Sequence, residues 1–178
     1  MPPPFQSFET ERLWLKPTNK ADAPFIFELL NSPKWLRYIG NRYIHSINDA
    51  KVYIHQHVVP QFERLGYGNY VIVRKNDGAK VGACGLYDRD GLEGIDIGFA
   101  LLPDFERKGY AFEAANCLKI AAFEVFKLNE IVAITTKNNI ASQKLLDKLG
   151  LQFKGYVYLP NDQEQLLLYK LAASNQLA

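Results

Sequence analysis

Cysteine and histidine are scarce in this chain, and the few present do not gather. Of 178 residues, two are cysteine and three histidine. Cys84 and Cys117 lie far apart with no Cys-x-x-Cys spacing, which argues against a metal cluster or a disulfide framework, and both read as buried thiols. His55 and His57 fall in a helical stretch at i and i+2, where side chains diverge by about 200°, so they do not converge on an ion. No metal is expected. Long apolar runs are also missing: no stretch reaches the roughly 18 residues of a membrane span. The Pro-rich N-terminus lacks the basic-then-apolar pattern of a signal peptide, so cytoplasmic residence is the default expectation. Charge of one sign is lacking too. With 21 Lys+Arg against 19 Asp+Glu, the formal net charge is +2, and no basic run is interleaved with aromatics. Neither nucleic acid nor a membrane surface is expected as a partner. No Ser/Gly-rich linker and no internal repeat divides the chain, so residues 1–178 read as one domain with a substantial core, monomeric or homodimeric. Pro2-Pro3-Pro4 reads as a loose lead-in and Ala173 to Ala178 as a frayed tail.

What is there begins with Ile95-Asp-Ile-Gly-Phe-Ala-Leu-Leu-Pro-Asp-Phe-Glu-Arg-Lys-Gly-Tyr-Ala-Phe-Glu-Ala-Ala115. It reads as a strand ending at Pro103, a short basic turn, and a helix opening near Gly109. The first amides of a helix have no partner within it, and the helix dipole adds partial positive charge there, so such a turn is an anion site. Arg107 and Lys108 add formal charge, and Gly109 lets the backbone approach a bulky anion such as a pyrophosphate. The turn matches neither the Gly-Lys-Ser/Thr phosphate loop nor the Gly-x-Gly-x-x-Gly fingerprint, so on its own it is equally an ordinary helix start.

The elements around it follow from periodicity and punctuation. Glu11 to Lys16 reads as a strand stopped by Pro17, and Ala21 to Leu30 as a helix capped by Asn19 with Asp22 three residues on. Asn31-Ser-Pro33 reads as a break, followed by an aromatic and aliphatic cluster at Trp35, Leu36, Tyr38 and Ile39 and a loop from Gly40 to Ser46. Asp49 to Leu65 is a second helix that Pro60 bends or interrupts. Tyr70 to Arg74 and Lys80 to Tyr87 form a hairpin around Asn76-Asp77-Gly78, and Ile95 to Leu102 is the strand feeding the anion turn. The helix from Tyr110 to Phe126 is apolar almost all round, hence a packed central element. Leu128 to Thr136 is a buried strand, Ile140 to Leu149 a short helix closed by Gly150, and Gln152 to Leu159 with Leu166 to Leu171 a terminal hairpin. The order β-α-α-β-β-β-α-β-α-β-β predicts an α+β or α/β chain with a mixed, largely antiparallel sheet and helices on both faces.

Two motifs in this order and spacing resemble the GNAT family, the GCN5-related N-acetyltransferases, in its RimJ/RimL-like branch. The family's acyl-CoA loop, Gln/Arg-x-x-Gly-x-Gly/Ala, is matched by Glu106-Arg107-Lys108-Gly109-Tyr110-Ala111. The branch's Gly-Tyr-Ala-x-Glu-Ala continuation stands as Gly109 to Ala114. The second motif is Asn139-Ile-Ala-Ser142, followed by a helix ending in Leu149-Gly150. Phe8-Glu-Thr-Glu-Arg-Leu-Trp-Leu15 looks like the branch's first strand, and the resemblance runs from about Phe8 to Leu171. Two departures stand out. Glu106 replaces Gln or Arg, where its carboxylate would either repel a phosphate or turn outward to pair with Arg107 or Lys108, and Arg107 occupies a position where glycine is common.

The resemblance implies a fold in which the family's fourth and fifth strands, here Ile95–Leu102 and Leu128–Thr136, splay into a V that admits pantetheine. It implies transfer of an acetyl group from acetyl-CoA to a primary amine, without a covalent enzyme intermediate. Backbone groups of Phe99, Ala100, Leu101 and Leu102 would face the pantetheine. Amides of Arg107, Lys108, Gly109, Tyr110, Ala111 and Phe112 would cradle the pyrophosphate, and Asn139 would bond the pantetheine. Asp96 is the leading general base, ahead of Glu93 and Asp88; equally it reads as an exposed strand carboxylate. The tyrosine that many members use as an acid maps to Leu146, which leaves Ser142 as a donor to the leaving sulfur or simply a first-turn residue of its helix. Tyr38, Tyr43 and Trp35 would line the acceptor side. The acceptor is either a protein N-terminus, as for ribosomal-protein acetyltransferases, or a small amine. A non-catalytic acyl-CoA-binding module and a nucleotide-phosphate binder stand as the other classes.

Overall fold

The computed structural model describes residues 5–175, so Pro2-Pro3-Pro4 and the last three residues of the expected tail lie outside the described residues. One eight-stranded sheet organises the chain, in the order β1-β2-β3-β4-β5-β6-β8-β7. Its strands are β1 (Phe8–Glu9), β2 (Leu13–Pro17), β3 (Asn69–Arg74), β4 (Lys80–Tyr87), β5 (Ile95–Leu101), β6 (Glu130–Thr136), β7 (Gln152–Val157) and β8 (Leu166–Ala172). Every neighbouring pair is antiparallel except β5 with β6. The helices are α1 (Ala23–Leu30), α2 (Pro33–Tyr38), α3 (Ile47–Tyr53), α4 (Val59–Leu65), α5 (Tyr110–Glu124) and α6 (Ile140–Leu149). The mixed α/β, mostly antiparallel architecture expected from the pattern is the one observed. Among the described residues no helix is long and apolar enough to cross a membrane.

The seam between β5 and β6 positions the site. These parallel strands are in register only at Ile95 with Ile131 and Asp96 with Val132. Beyond that point β5 stays zipped to β4 as far as Leu101, while β6 stays zipped to β8 as far as Thr136. Each strand follows its antiparallel partner, so the sheet opens into the V that the resemblance implied. Helix α5 packs beneath it with Ala114, Ala115, Leu118, Ala121 and Ala122 buried. Four alanines on that face let the helix axis approach the sheet closely.

Several local expectations change. The strand drawn from Glu11 to Lys16 is a tight hairpin, β1 to β2, with Glu11 and Arg12 in its turn. The Trp35–Ile39 cluster is a helix, α2, because Pro33 takes the first helical turn, where its missing N–H costs nothing. Asn19 caps as expected: its Oδ1 accepts from Ala21 N at 2.9 Å while Asp22 Oδ2 accepts from Asn19 N at 2.9 Å. The first turn is a 3-10 turn, Lys20–Asp22, before α1 begins. The helix broken by Pro60 runs without a gap from Ile47 to Leu65, but Ile54–Val58 is a π turn in which Val59 N–H reaches back to Ile54 O. Ala173–Asn175, placed in the frayed tail, forms a 3-10 turn held by Ala173 N–H to Asn129 O at 2.8 Å. Cys84 is buried as expected, whereas Cys117 is half-buried.

Candidate active site

The anion turn is built by long-range contacts. Gly109 ends the loop at φ +83°, and an added Cβ there would lie 3.2 Å from the Arg12 guanidinium. Arg107 also sits at positive φ, 60°, so a position where glycine is common in the family carries a strained arginine. The β1–β2 turn grips the loop from outside. Arg12 Nη1 donates to Lys108 O at 2.9 Å, and Glu113 on the first turn of α5 accepts from Thr10 Oγ1 at 2.6 Å, Arg12 N at 2.9 Å and Arg12 Nε at 2.7 Å. The Phe8–Leu15 segment and the Gly-Tyr-Ala-x-Glu-Ala motif are therefore the two halves of one clamp. Among the described residues, no protein acceptor meets the amides from Arg107 to Phe112, which leaves the expected cradle open to an external anion.

From this cradle a cleft of ≈ 880 Å³ runs through the seam to the side covered by α1–α4 and the β7–β8 loop. Register decides which backbone groups of β5 it meets. Leu102 N–H donates to Val81 O at 2.9 Å, which makes the facing pair Gly82 and Leu101 a non-hydrogen-bonded one. By alternation Leu101, Phe99 and Ile97 turn their N–H and C=O groups away from β4, toward the seam. Of the four residues expected to offer backbone groups there, Phe99 and Leu101 do so; Ala100 and Leu102 bond back to β4. Opposite them, Asn139 Oδ1 caps α6 by accepting from Ser142 N at 3.2 Å, and both residues line the cleft. Ser142 Oγ makes no hydrogen bond among the described residues, so the hydroxyl is not consumed by the first turn of α6. Leu146, at the position of the family's tyrosine, is buried in the cleft wall.

Asp96 stands at the apex of the V. It is 2 % exposed, which removes the reading of an exposed strand carboxylate. Its Oδ2 accepts from Arg89 Nε. Burial raises the Asp96 carboxyl above the ordinary aspartate range, against the lowering pull of Arg89 and of the Ile134 amide across the seam. Beside it Tyr87 lies flat on the sheet. A Cβ at Gly85 would meet the Tyr87 ring at 2.3 Å and one at Gly98 would meet it at 2.9 Å, so both strand glycines make room for this ring. Burial pushes the Tyr87 phenol far up, and it donates to Asn69 Oδ1 at 2.5 Å while Asn69 Nδ2 donates to Thr18 Oγ1 at 2.7 Å. The Arg89 guanidinium lies over the same ring, 5.0 Å from its centroid. Sequence reading missed Tyr87 and Arg89 as site residues; the glycines facing each other on adjacent strands, Gly85 and Gly98, were the available signal.

The wall expected to face the acceptor is built from α2, the end of α3 and the π turn. Tyr38, Trp35, Tyr53 and His57 line the cleft. Trp35 Nε1 is buried without a hydrogen-bond partner among the described residues. Tyr43 is not part of this wall: it is 73 % exposed at φ 55° and is not among the residues that line the cleft. The carboxylate expected to pair with Arg107 or Lys108 does neither. Glu106 Oε2 meets Lys34 Nζ of α2 at 2.5 Å.

A sheet split beside a helix-start anion cradle defines an acyltransferase frame, and the comparisons agree. Residues 12–152 match the family model described as "Acetyltransferase (GNAT) domain". The chain belongs to the GNAT family and is an acetyltransferase. It is 28 % identical over 152 residues to the uncharacterized N-acetyltransferase YoaA of Bacillus subtilis, with 85 % of each chain covered. Among solved structures it superposes on an acetyltransferase from Agrobacterium tumefaciens with a TM-score of 0.79 and 25 % identity, covering 93 % of this chain and 94 % of that one. It shares its fold with RimL, a ribosomal L7/L12 α-N-protein acetyltransferase solved in complex with coenzyme A, at a TM-score of 0.75 and 16 % identity over 94 % of this chain and 98 % of that one. That likeness is one of fold; the resemblance to the RimJ/RimL-like branch is carried by the motifs at Gly109 to Ala114 and Asn139 to Ser142.

Proposed function

We propose that this chain binds acetyl-CoA and transfers its acetyl group to the α-amine of a protein N-terminus. The observation that carries the proposal is the unpaired edge of β5 at Phe99 and Leu101, leading directly to the unpartnered amides of Arg107 to Phe112. These groups suit a long ligand with an amide-bearing arm and a pyrophosphate. Asn139 lies on the opposite wall of the same path. Bound acetyl-CoA supplies a thioester carbonyl that a neutral amine attacks directly. The chain's own groups hold the partners together and manage the proton. The Phe99 or Leu101 amide donates to the carbonyl oxygen as it gains charge. Asp96 takes the ammonium proton through water, and Ser142 Oγ donates to the leaving sulfur. On the acceptor side both signs of charge line the cleft, Arg42 and Arg89 against Asp162 and Glu164, which favours a peptide terminus over a polyamine.

Thermal shift and turnover test this together. Acyl-CoA bound only to the native state at a hundredfold excess over Kd stabilises it by about 2.7 kcal/mol, so millimolar CoA should raise the melting temperature measurably. Free thiol should then appear when acetyl-CoA is mixed with peptides bearing a free α-amine. A flat melting temperature sinks the ligand assignment. Binding without thiol release from any peptide or amine would indicate a sensor instead, and release with small amines alone would move the acceptor to that class.

A further inference from the structure

The pyrophosphate cradle opens on Glu106, a carboxylate where the charge of the ligand is least welcome. Its partner is not on the loop. Lys34, 72 residues earlier on α2, reaches across to Glu106 Oε2 at 2.5 Å, and both side chains line the cleft beside Arg107. Helix α2 has no buried residue, and the Lys34 side chain is 55 % exposed, so packing does not dictate this reach. Glu106 is the more enclosed partner, at 22 %. The ammonium has three donors and gives one to the carboxylate. Two remain, at the mouth of the cradle. From its other end α2 contributes Tyr38 to the acceptor wall, and Trp35 lies between.

Resting on the reading of this cleft as an acyl-CoA site, we propose that Lys34 is a cofactor-binding residue that compensates in trans for Glu106, cancelling the carboxylate at the cradle and donating to a phosphate of the bound CoA. The compensation explains how a loop that departs from Gln or Arg at its first position still receives a pyrophosphate. It also ties the phosphate end of the cleft to the acceptor wall through one short helix.

A double-mutant cycle on the full chain, with CoA affinity measured by calorimetry at low salt, decides the matter. Lys34→Ala should weaken CoA roughly tenfold, the scale of a half-exposed charge pair reinforced by a phosphate contact. Glu106→Gln should bind CoA at least as tightly as the wild type. In the Glu106→Gln background, Lys34→Ala should cost several-fold less than in the wild type, because no bare carboxylate is left behind. That coupling is a readout that general loosening of α2 would not produce. Equal cost of Lys34→Ala in both backgrounds, or no cost in either, overturns the proposal while leaving the acyl-CoA site intact. A wild type that does not bind CoA overturns both.

Discussion

Glu113 and Asp96 are both carboxylates met by arginine, and their environments give them opposite consequences. Burial alone would raise the Glu113 carboxyl, but the bonds from Thr10 and Arg12 outweigh it and hold the group below the ordinary glutamate range. A lowered folded pKa means stability that is fully present above the unfolded value, about 4.3, and lost as pH falls through the folded value. Glu113→Gln should therefore cost roughly 1–2 kcal/mol at neutral pH, read from denaturant melts, and the gap to the wild type should close as the buffer is taken below about pH 4. Asp96 is raised by burial, which suits a proton acceptor. Asp96→Asn should keep acyl-CoA affinity and lose roughly 10²–10⁴-fold in turnover at neutral pH, with the deficit shrinking in alkaline buffer as the amine deprotonates by itself. It should also cost roughly 1–3 kcal/mol by leaving Arg89 without its carboxylate. Wild-type turnover in a folded variant would reduce Asp96 to a wedge at the apex of the V. The sequence displayed Glu113, Gly109, Asn139 and Ser142 through spacing. It could not display partners that lie far away in the chain, such as Thr10 and Arg12, 103 and 101 residues before Glu113, or Lys34, 72 residues before Glu106.

Helices and strands long enough to show a period were legible, and short or interrupted ones were not. Six residues of α2 give less than two turns, too few for an apolar face to repeat, and Pro33 reads equally as a breaker or as a first-turn residue. The π turn before Pro60 is invisible for another reason. Proline predicts a lost N–H, but whether the chain kinks, breaks or widens by one residue is decided by packing. Here it widens, and Tyr53 and His57, tilted against each other with ring centroids 5.0 Å apart, both line the cleft. Pro60→Ala restores a donor and permits an ordinary α-helical turn, which moves these two rings. The expected variant is thermally more stable, binds acyl-CoA as before, and shows a several-fold higher acceptor KM. An unchanged KM would mean that the π turn serves packing alone.

The whole sheet is two sheets sharing one short seam, and only the family resemblance could announce that from sequence, since strand patterning does not show where two neighbours part. Among the described residues, register at Ile95 and Asp96 is all that joins β1–β5 to β6–β8–β7 by strand pairing. The second block should therefore open as a unit below the global unfolding free energy. Native-state hydrogen exchange should show β6 and β8 amides exchanging together and sooner than those of β3 and β4. Acyl-CoA lying across the seam should slow the first group selectively. Uniform protection without ligand would refute the two-block picture. The same opening governs traffic. A cleft that passes through the sheet has two doors, one at the α5 loop and one between α2 and the β7–β8 loop. In the proposed reaction the acylated product and the spent thiol carrier depart through separate exits, so neither queues behind the other. Turnover then has no compulsory order of release imposed by geometry, and a large acceptor such as a folded protein with a protruding N-terminus can be served without the carrier ever having to cross its path.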